Sequence, residues 1–266
     1  MKNIQFAELK HIQLSILKDV HNFCIERGLK YSLGGGTLLG AVRHKGYIPW
    51  DDDIDIMMPR PDYNIFVNEF SGYKPHLTCG AFENDKKFMY PYAKVYNNRT
   101  CLKEEKLNEK YQTFGVNIDL FPIDGFPDKS SRLKFSFFMK KVLFMKKLLF
   151  KKIHKPAGKN NFKRKCAGII VRFISLQFIQ KHIKRTIQTC DFKKSNYRGA
   201  VIGKYSEKEC YPQNVFSEYT ELEFEGFKFM AISYYDEYLT GHYGDYMKLP
   251  AAEQQVGSHA VKSFWI

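Results

Sequence analysis

Gly34-Gly35-Gly36-Thr37-Leu38-Leu39-Gly40-Ala41-Val42-Arg43-His44, followed by Trp50-Asp51-Asp52-Asp53-Ile54-Asp55-Ile56, is the stretch on which the reading of this chain turns. Glycines let a backbone approach a ligand closely, and a helix opening at them presents free N–H groups and a positive dipole end. Asp53 to Met57 alternates polar and apolar residues, which predicts a half-buried strand. Asp53 and Asp55 then share one face, while Ile54 and Ile56 enter the core. Four acids in five positions repel one another, and a divalent cation is the simplest compensation. Mg²⁺ suits such oxygen ligands and keeps waters for a phosphate to replace, with Mn²⁺ as its substitute. Sixteen residues separate Gly36 from Asp53. A metal platform facing a phosphate cradle is the minimum apparatus for phosphoryl or nucleotidyl transfer. Taken alone, the acids read equally as a surface loop, and the glycines as a flexible turn.

Working outward, Leu9, Ile12, Ile16, Val20 and Phe23 recur at helical steps, predicting a helix over 6–27 that stops at Gly28. A strand is expected over Lys30–Leu33, a short helix over Leu38–Arg43, and a helix from Pro61 to about Phe70. Further strands are expected over Leu77–Phe82, Tyr90–Tyr96 and Val116–Phe121, the last ended by Pro122. Glu221–Ile232 reads as a hairpin turning near Glu225-Gly226, after which Ser233 caps a short helix. Asp119 lies in an alternating strand pattern and is the preferred third carboxylate. Asp124, which Pro122 and Gly125 place in a turn, is its competitor.

The 266 residues carry 42 Lys and Arg against 28 Asp and Glu, a formal +14. A hydrophobic share of 44% supplies a core and excludes global disorder. The charge is not spread evenly. Between Lys129 and Arg198 there are 21 basic residues and one acid, Asp191, or +20, whereas the remainder is −6. Over Leu133–Ile153, Phe135, Phe138, Val142, Met145, Leu149 and Ile153 fall on one side of a helix, with lysines on the other and Lys146 out of place. Such a basic amphipathic helix suits an anionic membrane interface; a helix packed on the core with a solvated lysine face is the alternative. The six cysteines form no CxxC pair and read as free thiols in a reducing compartment. No signal peptide and no spanning helix are expected.

The glycine-to-aspartate block, together with Ile118-Asp119-Leu120-Phe121-Pro122-Ile123-Asp124 and Tyr243-Gly244-Asp245-Tyr246-Met247-Lys248-Leu249-Pro250, resembles the LicD family of phosphocholine transferases, related to the fukutin-type transferases. The resemblance implies an α+β, nucleotidyltransferase-like fold: a mixed sheet with flanking helices, here carrying a basic helical insertion. Residues 1–128 and 199–266 would form the catalytic domain around the basic segment 129–198. It also implies Asp53, Asp55 and Asp119 as catalytic Mg²⁺ ligands. Gly35, Gly36 and Thr37 would cradle the donor's phosphates. Arg43 would bind phosphate or pair with the nearby acids, and His44 would orient the loop or act as a base. Asp52, Trp50 and His259 are further substrate-binding candidates. Tyr47, Trp50, Tyr90, Tyr92 and Tyr96 are candidates for a choline cage.

The implied reaction moves phosphocholine, or a similar alcohol phosphate, from CDP-choline or another CDP-alcohol to a glycan hydroxyl. The acceptor would be lipid-linked: a lipopolysaccharide, teichoic acid or capsule precursor. The enzyme would then sit in the cytoplasm at the inner face of the membrane. Two other readings remain: a nucleotidyltransferase acting on RNA or a small alcohol, although no RNA-recognition motif is present, and a non-enzymatic membrane adaptor.

Overall fold

The computed structural model describes residues 2–104, 107, 108, 111, 114–155, 171, 173–255 and 261–266. His259, Cys166, Arg164 and Arg172 lie outside the described residues.

Helix α1 (Phe6–Arg27) follows a short strand β1 (Lys2–Asn3) and ends at Gly28, whose left-handed φ of 64° lets its N–H reach back to the last turn. Strand β2 (Ser32–Leu33) is shorter than the sequence suggested. Helix α2 (Gly35–His44) begins at the glycines themselves, because Gly35 adopts a φ of 47° that turns the chain straight out of β2. Strand β3 (Asp55–Pro59) and helix α3 (Arg60–Glu69) follow, then β4 (Leu77–Gly80), β5 (Ala93–Asn97), β6 (Thr100–Glu104) and β7 (Asn117–Phe126).

The central sheet runs β2-β3-β7-β5-β4, with β3 and β7 parallel and the other neighbours antiparallel. A further edge, β8 (Tyr197–Gly199) and β9 (Tyr211–Pro212), pairs with the far end of β7. This mixed sheet, backed by α1 and α3, is the α+β architecture the sequence implied.

Two expectations about β7 are corrected. The strand runs through Pro122, and Asp124 is a strand residue. On that edge β5 has ended opposite Leu120 and β8 begins opposite Asp124, so proline sits in a gap between partners where a missing N–H is tolerated. Asp124 is 3% exposed and accepts both arms of Arg60, each at 2.6 Å. It is bound up in the fold.

Strands β10 (Tyr219–Phe224) and β11 (Phe227–Ile232) form the expected hairpin, with Glu225 and Gly226 both at positive φ. The next helix spans Tyr235–Tyr243 and is preceded by Tyr234, so Ser233 is not its cap. The chain closes with β12 (Val261–Trp265), which joins β1 to β6.

The basic segment holds helix α4 (Arg132–Ile153) and helix α5 (Leu176–Ile187), which pack on each other. Phe138, Met139, Val142, Met145, Leu149 and Ile153 are buried in a second hydrophobic cluster with Phe88, Phe126, Ile179, Val201 and Ile202. The apolar side that the sequence offered to lipid is therefore occupied by the protein's own core. Lys146 is also accounted for. It lies on the buried side and its Nζ donates to the Gly203 carbonyl at 2.5 Å, with burial holding its pKa below the usual lysine range. Among the described residues, no helix is long and apolar enough to cross a membrane.

Candidate active site

Strand register assembles the site. Asp55 of β3 lies opposite Asp119 of β7, and Asp119 lies opposite Lys94 of β5. Residues in register point to the same face, so two carboxylates and a lysine form a row across three strands. Lys94 Nζ donates to Asp119 Oδ1 at 2.6 Å and to Asn117 Oδ1 at 3.1 Å. Its cation also lies 4.6 Å from the Tyr90 ring centre and 5.6 Å from that of Tyr92. One end of the acidic row is thus neutralised from within.

The glycine turn is tied to the same strand. Gly34 N–H donates to the Asp55 carbonyl at 2.9 Å, and Asp55 N–H donates to Thr37 Oγ1 at 2.8 Å. The carboxylates lie hard against the first turn of α2. A Cβ on Gly36 would stand 2.7 Å from Asp51 Oδ2, and one on Gly35 would stand 3.3 Å from Asp55 Oδ2. At Gly36 a side chain would oblige the Asp51 carboxylate to move, and at Gly35 the φ of 47° is itself one that L side chains rarely adopt.

A cavity of ≈ 410 Å³ opens here. Gly34, Gly35, Gly36, Asp51, Asp53, Asp55 and Asp119 line it, and Tyr92, Phe121, Ala200, Gly203, Lys204, Tyr205, Glu209, Tyr238 and Tyr243 complete the wall. The Tyr243 hydroxyl lies close to the glycine turn, 3.9 Å from where a Cβ on Gly35 would stand. Asp55 is half-buried, and its pKa is driven well above the usual carboxylate range by desolvation, then by Asp53 and Asp119, against the opposing pull of Lys94. Carboxylate oxygens of Asp51, Asp52 and Asp53 also fall within 4.8 Å of one another. A hard oxygen-ligand set with raised proton affinity fits a divalent cation, which would relieve the repulsion by replacing the proton.

The structure thus brings Gly35, Gly36, Asp53, Asp55 and Asp119 to one cavity. The other candidates go elsewhere. Thr37 is buried and spends its hydroxyl on β3. Asp52 is 8% exposed and absent from the cavity wall, and Asp51 takes the place expected for it. Arg43 Nη1 donates to the Tyr246 carbonyl at 2.7 Å, pinning the C-terminal stretch, and its Nε donates to His44 Nε2 at 2.9 Å. His44 is held below its usual pKa by burial and by Arg43. Its ring meets Trp50 edge-on, and Trp50 packs against the core. Arg43, His44 and Trp50 therefore build the loop that presents the acids rather than line the cavity.

Sequence reasoning missed the rest of the wall. Glu209 is buried, accepts the Tyr205 N–H at 3.2 Å and receives His242 Nε2 at 3.1 Å. The Tyr211 hydroxyl closes the chain on His242 Nδ1 at 2.5 Å. Tyr205 meets Tyr243 edge-on at 5.8 Å. Of these, only Tyr243 carried a signal, as the first residue of the C-terminal Tyr-Gly-Asp-Tyr stretch.

Residues 28–164 match the sequence profile described as LicD/FKTN/FKRP, nucleotidyltransferase domain. The chain belongs to the LicD family. The lipopolysaccharide cholinephosphotransferase LicD of Haemophilus influenzae is 34% identical over 99% of this chain and 99% of its own length. An uncharacterized protein of Rickettsia typhi is 33% identical over 47% of this chain and 46% of its own. A second one, from Rickettsia prowazekii, is 49% identical over 23% and 24%. This LicD family member is a phosphotransferase, which sets aside the non-enzymatic adaptor.

Proposed function

We propose that this enzyme transfers phosphocholine from CDP-choline to a hydroxyl of a lipopolysaccharide glycan, with release of CMP. The observation that carries the reading is the mixed lining of one cavity: carboxylates and a glycine turn together with tyrosines and Glu209. A donor that joins a diphosphate to a quaternary ammonium calls for both kinds of lining. The ammonium offers no hydrogen-bond donor, so aromatic faces and a nearby carboxylate are what recognise it. Tyr205, Tyr243 and Glu209 are assigned this task. Of the cage candidates raised from the sequence, only Tyr92 lines the cavity.

Asp53, Asp55 and Asp119, with Asp51 beside them, would hold Mg²⁺. When bound, the ion neutralises donor phosphate oxygens and charge developing on the leaving group. The first-turn N–H groups of α2 orient the diphosphate. Lys94 fixes the Asp119 carboxylate at the floor. The acceptor hydroxyl attacks the phosphorus that bears the choline ester, in line with the bond to the bridging oxygen. That bond breaks, the bridging oxygen leaves with CMP, and the hydroxyl proton passes to a cavity carboxylate, for which Asp119 is the assigned acceptor. The acceptor is assigned as lipid-linked and presented at the cytoplasmic face of the membrane. Teichoic acid and capsule precursors offer the same kind of hydroxyl.

A donor panel tests the proposal. With Mg²⁺ and glycan acceptor, CMP release should be fastest from CDP-choline and lost in Asp53→Ala and Asp55→Ala proteins that remain folded. Pyrophosphate release from a nucleoside triphosphate, or full activity in either variant, would overturn it.

A further inference from the structure

The two sides of α4 have separate tasks. Its inner side is packed in the core, and there Lys146 holds the carbonyl of Gly203 in the wall of the catalytic cavity. Its outer side is unlike an ordinary solvated helix face. Leu133, Phe137 and Phe144 are 88%, 72% and 59% exposed. At about 100° per residue they fall on one narrow stripe with Lys140, Lys147 and Lys151, all exposed. The stripe runs about 27 Å along the helix at 1.5 Å per residue. The whole helix carries eight basic residues and no acid.

We propose that this outer stripe of α4 is a docking face for an anionic phospholipid surface. Large apolar side chains left in water among lysines are the composition of an interfacial helix: rings enter the headgroup boundary while ammonium groups meet lipid phosphates. A second copy of the chain would bring two all-basic faces together, and charge repulsion opposes it. A nucleic acid would satisfy the lysines and leave the leucine and phenylalanines in water. The face lies opposite the one the sequence pattern nominated, because the more regular apolar stripe is consumed by the core. Docked this way, the enzyme holds the Gly203 wall of its cavity only one helix diameter, about 10 Å, above the lipid. That placement suits an acceptor anchored in the same leaflet. The placement argument rests on the phosphotransfer reading, whereas the docking itself does not.

Flotation of the full-length protein with vesicles measures binding without turnover, so its outcome is separate from that of the donor panel. The protein should float with phosphatidylethanolamine–phosphatidylglycerol vesicles, release at high salt, and stay down with phosphatidylcholine alone. Phe137→Ser/Phe144→Ser and Lys140→Glu/Lys147→Glu should each weaken binding at least about tenfold. Their melting temperature and their CMP release in detergent-dispersed acceptor should match the parent. No flotation with anionic vesicles would overturn the proposal. So would binding that both variants retain, a dimer in size-exclusion chromatography that either variant abolishes, or capture of an oligonucleotide in preference to the vesicles.

Discussion

Replacing Lys94 by methionine probes the floor of the catalytic cavity most sharply. Lys94 and Asp119 are 8% and 17% exposed at their side chains and 2.6 Å apart. Removing one partner of a buried pair costs about 3–5 kcal/mol, chiefly because the other charge is stranded. Asp119 retains some contact with the cavity, which favours the lower end, about 3 kcal/mol. For a chain of this size that is a fall of about 6–12 °C in melting temperature. Lys94→Met also removes the pull that opposes the raised pKa of Asp55, so the acidic row becomes harder to ionise. Two controls separate this from loss of packing. Lys94→Met/Asp119→Asn leaves no stranded charge and should recover at least about half of the loss. Added Mg²⁺ should narrow the gap between Lys94→Met and parent, since a cation that meets the stranded Asp119 charge stabilises the variant more than a parent in which Lys94 already meets it. The assay is urea denaturation in chelator-treated buffer, repeated with Mg²⁺. A single variant within about 1 kcal/mol of the parent, or a double variant no better than the single, would show that the pair does not carry the charge of the site.

Asp55→Asn should abolish transfer yet stabilise the metal-free protein at neutral pH. The folded-state pKa of Asp55 is raised by burial and by Asp53 and Asp119, so its contribution is fully present below the unfolded value and is lost as pH rises through the folded one. The variant's urea midpoint should therefore fall less than the parent's across that window. Gly36→Ala places a methyl 2.7 Å from Asp51 Oδ2; CMP release should drop at least about tenfold while the fold persists, and unchanged turnover would contradict the close approach. Tyr205→Leu should raise KM for CDP-choline by about 2- to 30-fold, the span of a cation–π contact, with a smaller effect on CDP-glycerol, whose headgroup carries no cation. Equal effects on both donors would remove Tyr205 from headgroup recognition.

What was legible in the sequence was what local pattern controls. The acid spacing marked Asp53 and Asp55, which do line one cavity, although the strand begins only at Asp55 and is buried at Ile56, Met57, Met58 and Pro59 rather than alternating as expected. The hairpin announced itself at Glu225-Gly226, where both residues adopt positive φ. Neighbour chemistry was not legible. Thr37, Arg43 and His44 have phosphate-site character in the abstract, but Thr37 bonds the backbone of β3, Arg43 the carbonyls of residues 246 and 248, and His44 the Arg43 side chain. Lys94 and Glu209 reach the cavity through strand pairing and a buried Tyr211–His242 chain, neither of which leaves a mark at short sequence range. Pro122 misled because its tolerance depends on where β5 ends and β8 begins. On α4, periodicity found the apolar stripe correctly. Only packing could say that the stripe faces the protein and that the sparser one, Leu133, Phe137 and Phe144, faces out.

The most direct measurement is mass spectrometry of a lipopolysaccharide glycan after incubation with the enzyme, Mg²⁺ and CDP-choline. A gain of one phosphocholine unit, matched by an equal amount of CMP and absent with Asp55→Asn, is the outcome the cavity's mixed lining predicts. CMP formed without a modified glycan, or a glycan carrying a cytidylyl group instead, would contradict it.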